Sequence, residues 1–147
     1  MSVNAIPKGY HTITPYFSVS DAHGLVDFLK RAFDAVAVIH TMPAGSILNA
    51  QVQVGNSMVL IGQAPKDHPA NKQMPSMLYM YVEDVDAVYR KAIAAGGESI
   101  VEPKDQFYGD RVGAVRDLTG NQWWIATHKE EMSSEEMTHR AAQRDRS

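Results

Sequence analysis

The chain has 147 residues, 44% of them hydrophobic, which is enough to bury one sizeable core and too little for two ordinary independent domains. A net charge of -3 built from interspersed signs leaves no basic footprint for nucleic acid or an anionic membrane surface. With no cysteine, disulfides, thiolate metal sites and a Cys nucleophile are excluded, which fits a reducing compartment.

In chain order, residues 1–9 lack the positive start and apolar run of a secretory signal, and no apolar stretch approaches the roughly 20 residues of a membrane span, so the expectation is a cytoplasmic protein. A strand is predicted over 12–19, with Ile13, Pro15, Phe17 and Val19 packing under a helix and Thr12, Thr14, Tyr16 and Ser18 on the other face. Asp21 is suited to cap the following helix, whose stripe is Leu25, Phe28, Leu29, Ala32 and Phe33. Strands follow over 36–42, 48–54 and 57–63, the last two joined by a Gly55-Asn56 turn. Residues 64–76, with Pro65, Pro69 and Pro75, read as an exposed connection.

The second half repeats this plan. Tyr79-Met80-Tyr81-Val82-Glu83-Asp84 echoes Tyr16-Phe17-Ser18-Val19-Ser20-Asp21, a strand running into a helix cap, and the helix stripe is Val85, Val88, Tyr89, Ala92 and Ile93, stopped by Gly96-Gly97. Strands are predicted over 77–83, 99–102, 111–117 and 121–127, the last entered by Gly120-Asn121 as its counterpart is by Gly55-Asn56. Ser133-Ser134-Glu135-Glu136 has capping-box spacing and predicts a charged helix over about 134–144. The expected architecture is a single α+β domain of two tandem βαβββ modules, about 10–64 and 76–129, with a helical tail 131–147; helices cover the outer faces of two curved mixed sheets, whose inner faces form a cleft.

Asp105-Gln106-Phe107-Tyr108-Gly109-Asp110-Arg111 and the stretch from Asp117-Leu118-Thr119-Gly120-Asn121 through Trp123-Trp124-Ile125-Ala126-Thr127-His128-Lys129-Glu130 resemble the PhnB-like branch of the vicinal-oxygen-chelate (glyoxalase/bleomycin resistance/dioxygenase) superfamily, as does Gly9-Tyr10-His11-Thr12-Ile13-Thr14-Pro15-Tyr16. The resemblance covers roughly residues 8–130. It implies paired modules, a homodimer with cleft sites and, in the enzymes, a divalent metal held by His and Glu of cleft-facing strands. Carried over residue by residue, the ligand positions fall on Thr14, Met77, Trp124 and either Leu60 or Ile61, and none is a competent donor. Where the branch often has His and Glu, this chain has the amides Asn49, Gln51 and Asn121. The expectation is therefore no metal and no cofactor.

Period-two alternation places Thr14, Tyr16, Asn49, Gln51, Tyr79, Tyr81 and Trp124 in the cleft, an aromatic and amide-rich lining suited to stacking and a few directed hydrogen bonds; the alternative is that the amides face water and the tyrosines cover a dimer seam. Arg111 either clamps a ligand acid at the cleft mouth or pairs with Asp110 or Asp105, and the ion pair is the more ordinary role. Among six scattered histidines, His11 and His128 are the general-base candidates, with Glu83 a weaker one. These readings give a homodimer that sequesters a small organic ligand without metal. The competing expectations are a metal-dependent lyase, isomerase or dioxygenase of the same superfamily, and an assembly role for the charged C-terminal helix.

Overall fold

The computed structural model describes residues 4–41, 43, 47–64 and 75–144. Most of the proline-bearing connection and the last three residues therefore lie outside the described residues, as does residue 42 at the end of a predicted strand. The element order is β1 (Tyr16–Val19), α1 (Ala22–Phe33), β2 (Val36–Thr41), β3 (Ile47–Val54), β4 (Ser57–Gln63), β5 (Met77–Tyr81), α2 (Val85–Ala94), β6 (Glu98–Asp105), β7 (Asp110–Arg116), β8 (Gln122–His128) and α3 (Ser134–Arg144). No helix of the described residues is long and apolar enough to cross a membrane.

Both predicted caps form. The Asp21 carboxylate accepts from the Gly24 amide at 2.9 Å and that of Asp84 from the Ala87 amide at 3.2 Å, each satisfying a first-turn donor that the helix cannot. α1 then buries Leu25, Phe28, Leu29 and Ala32, and α2 buries Val85 and Ala92. α2 stops where Gly96 takes φ +105° and the Gly97 amide returns to the Ala92 carbonyl at 2.9 Å.

Each half forms a four-stranded mixed sheet, ordered β1-β4-β3-β2 and β5-β8-β7-β6, in which β1/β4 and β5/β8 are parallel and the other pairs antiparallel. The registers correspond: Tyr16 lies opposite Leu60, and Tyr79 opposite Trp124. The first strand starts at Tyr16 and not at 12, and Ile13, expected under the helix, is 84% exposed. Pro15 has no amide to give a ladder, although its carbonyl accepts from the Leu60 amide at 2.9 Å, so regular pairing begins just after it.

The helices do not lie on separate outer faces. They pack on each other, and the helix-facing side chains of both sheets join one core, in which the Trp123 ring lies 5.6 Å from Phe17 and 5.2 Å from Phe33. Packing both apolar helix stripes together buries them at once, and it leaves the opposite face of each sheet uncovered within one chain. Exposed Tyr16, Val36 and Val38 mark the first open face, and exposed Met77, Tyr79 and Tyr81 the second.

Candidate functional site

On the second sheet, side chains alternate between the core and the open face. Leu78, Met80, Trp123 and Ile125 point to the core, while the cross-strand partners Tyr79 and Trp124, Tyr81 and Ala126, Val112 and Ala126, and Asp110 and His128 share the open face. Period two thus correctly groups Tyr79, Tyr81 and Trp124, and it brings His128 to the same face.

The centre of this face is Asp110, only 5% exposed. One carboxylate oxygen accepts from the Tyr79 hydroxyl at 2.7 Å and the Tyr81 hydroxyl at 3.1 Å, and the other meets His128 Nδ1 at 2.8 Å. His128 Nε2 lies 3.2 Å from a carboxylate oxygen of the exposed Glu131. The tyrosine rings meet edge to face with centroids 5.4 Å apart, and the Tyr81 and His128 rings lie at 6.4 Å. Trp124 donates its indole N–H to the Gln122 side-chain oxygen at 3.0 Å. Six side chains of the face, Asp110, Tyr79, Tyr81, His128, Gln122 and Trp124, are thereby oriented by hydrogen bonds.

The charges within the network reinforce one another. Burial pushes the Tyr79 hydroxyl well above its ordinary range, aided by its hydrogen bonds to Asp110 and Tyr108, and burial with the Asp110 bond raises Tyr81. For Asp110, burial alone would raise the carboxyl, but donors from His128, Tyr79 and Tyr81 outweigh it and hold the group below the usual carboxylate range. Hydrogen bonding to Asp110, then to Glu131, raises His128 above its ordinary value. The tyrosines are neutral donors committed to Asp110, so what they present outward is ring surface.

Asp110 was missed as a site residue because sequence reading treated it only as a partner for Arg111. The available signal was parity: Asp110 opens β7 immediately before Arg111, so the two must face opposite sides. Arg111 accordingly lies on the helix side, Nε at 2.9 Å and Nη2 at 3.1 Å from the two Asp86 carboxylate oxygens, with Nη1 at 3.3 Å from Asp105. This fork ties β6 and β7 to α2, the ion-pair role expected as the more ordinary one for Arg111, here with Asp86 as well as Asp105.

The remaining candidates separate. Tyr16, Asn49 and Gln51 share the open face of the first sheet through their registers with Leu60 and Gly62, where Gly62 gives room to the Tyr16 hydroxyl that a Cβ would strike. Thr14 precedes β1 and is half-buried, His11 is exposed in the same segment, and Glu83 is exposed beside the Asp84 cap. His128 is held by Asp110 and Glu131. Asn121 is buried in a turn and accepts from the Ser76 amide at 2.7 Å, a structural role.

At the positions where the resemblance implies metal ligands, Met77 offers an exposed thioether, Trp124 an indole donor, Leu60 and Ile61 hydrocarbon, and Thr14 one hydroxyl. This donor set does not fit a transition metal, and among the described residues no three His, Cys, Asp or Glu side chains converge as a metal-binding group.

Comparison with known proteins agrees with this architecture. The chain is 28% identical over 146 residues to an uncharacterized protein of Mycobacterium bovis, covering 93% of each chain, and 28% identical to one of Mycobacterium tuberculosis, covering 93% of this chain and 84% of that one. Among solved structures it is similar to TioX from Micromonospora sp. ML1, at 25% identity and a TM-score of 0.69 over 80% of this chain and 98% of that one. It also shares its fold with a PhnB protein of Bacillus cereus described as a putative 3-demethylubiquinone-9 3-methyltransferase, at 18% identity and a TM-score of 0.64 over 80% and 99% of the two chains. With residues 9–125 matching the family profile, the chain belongs to the Glyoxalase/Bleomycin resistance protein/Dioxygenase superfamily.

Proposed function

We propose that the protein binds and sequesters a small organic molecule, without metal, against the open face of the second sheet. The observation that carries this reading is the anchoring of Tyr79 and Tyr81 through their hydroxyls on buried Asp110, which leaves both rings exposed beside Trp124. A rigid aromatic surface loses little conformational entropy on binding, and stacked rings supply contact area while Gln122 and His128 supply direction. In the homodimer we propose, a second copy covers part of each open face and turns the platform into a cleft; the exposed apolar side chains Val36, Val38 and Met77 support this.

The test is a titration of metal-stripped protein with planar organic compounds, followed by tryptophan fluorescence, alongside metal analysis of the freshly purified protein. Saturable binding that Trp124→Ala weakens about tenfold or more supports the reading, since one well-packed aromatic contact is worth on the order of 1–2 kcal/mol. Stoichiometric bound metal that raises the melting temperature overturns the metal-free reading.

A second reading rests on His128 itself. An imidazole oriented through Nδ1 by a buried carboxylate is arranged for acid–base work at Nε2 when the exposed Glu131 carboxylate gives way to a ligand there, which would make the protein an enzyme moving a proton on the bound ligand. Under that reading His128→Gln abolishes turnover and leaves binding nearly unchanged.

A further inference from the structure

A different part of the molecule holds a second cavity. Between the two halves, on the helix side, lies a groove of about 720 Å³. Its walls are Phe33 from the end of α1, Val59 of β4, Leu78 and Met80 of β5, Val88 of α2 and Trp123 of β8. Leu78 and Met80 point inward to the groove, and Tyr79 and Tyr81, which alternate with them, also border it at the edge strand β5 while their hydroxyls reach Asp110 on the open face. The volume is of the size that houses small ligands, and walls this apolar lose contacts when nothing fills them.

The groove also has a chemical polarity. Lys91 of α2 and Asp34, the residue after α1, line it and pair at 2.6 Å. Asp34 sits at φ 54° and closes the helix through its backbone amide to the Leu29 carbonyl, so its carboxylate has no part in the cap. That side chain is 82% exposed and free to swing into water, leaving an ammonium at the end of an apolar channel. We propose that the groove is a second small-molecule site for an amphipathic carboxylic acid, its apolar tail lying along Leu78 and Met80 and its head group replacing Asp34 on Lys91. This site does not depend on the function proposed for the open face.

Decanoate is a suitable probe, titrated into the full chain below its micelle concentration with tryptophan fluorescence as the signal and decanol and decylamine as head-group controls. Decanoate is expected to saturate and to bind at least about tenfold more tightly than decanol, the ratio a charge-assisted hydrogen bond supplies. Lys91→Gln should lower decanoate affinity by a similar factor and leave decanol unchanged, whereas Asp34→Asn, which removes the competing carboxylate and tolerates the left-handed backbone, should raise it. Ser57→Trp at the exposed rim should block entry with the melting temperature retained, and Trp124→Ala, on the open face and outside the groove lining, should have no effect on decanoate. Absence of saturable binding overturns the proposal, as does indifference to Lys91→Gln or loss of decanoate binding in Trp124→Ala.

Discussion

Asp110 sits almost out of water and still carries a charge, which three donors make tolerable. Asp110→Asn would set an amide against groups that need an acceptor, so it should cost about 2–3 kcal/mol in urea denaturation, whereas Asp105→Asn, exposed, should stay within about 0.5 kcal/mol. The pH dependence follows from the direction of each shift. His128 is held above its ordinary 6.5, so its pairing contributes in full below that value and is lost as pH rises through the raised one. Asp110 is held below its ordinary 3.8, so its contribution is present above that value and is lost as pH falls through the lowered one. The network is complete between these limits. NMR titration of His128 should therefore show a midpoint above 6.5 that drops in Asp110→Asn; a midpoint unmoved by the substitution would show that the carboxylate does not govern the imidazole.

At the scale of elements, the turn between β7 and β8 and the C-terminal segment are built in contrasting ways. Asp117 is buried and accepts from the Thr119 amide and hydroxyl, the Asn121 amide and the Trp123 indole, which locks the turn to the core tryptophan. Its replacement by Ala should cost at least about 3 kcal/mol, because several donors lose their acceptor together, and chemical denaturation measures this. α3 buries no residue at all. It is held by Arg140, which pairs with Glu130 outside the helix and Glu136 within it, and by Arg144, whose guanidinium lies 4.5 Å above the Phe107 ring. Gly109 makes the docking possible: its carbonyl accepts from the Lys129 and Glu130 amides, its φ is +98°, and a Cβ would lie 2.7 Å from the Glu130 carbonyl oxygen. Gly109→Ala should accordingly speed amide hydrogen exchange over 130–144 while leaving α1 and α2 protected. Unchanged exchange there would show that the segment does not depend on this close approach.

For the whole molecule, the decisive feature is that both helices and the inner-facing sides of both sheets share one core while two sheet faces remain open. Tyr16, Val36 and Val38 on one face and Met77 and Tyr81 on the other are more than half exposed in a single chain. Surface of that kind is normally covered by a partner. Sedimentation at micromolar concentration should give a dimer, and Val38→Glu should shift it toward monomer with the helical circular-dichroism signal retained; a wild-type monomer at that concentration would leave the open faces as ligand surface alone.

The sequence by itself determined what depends on near neighbours along the chain. Asp21 and Asp84 cap helices, the stripes from Leu25 to Ala32 and from Val85 to Ala92 face inward, and Tyr79, Tyr81 and Trp124 share a face, because caps, helical period and strand alternation are set by spacing alone. Tertiary structure decided what depends on partners distant in sequence. Asp110 became the centre of the site through hydroxyls about thirty residues earlier and an imidazole eighteen later, a convergence that exists only once β5, β7 and β8 are in register. A shift of one residue at the start of β7 sent Arg111 to α2 instead of the cleft. The meeting of α1 with α2 likewise has no local signature, since an apolar stripe specifies that it will be buried and not against which surface.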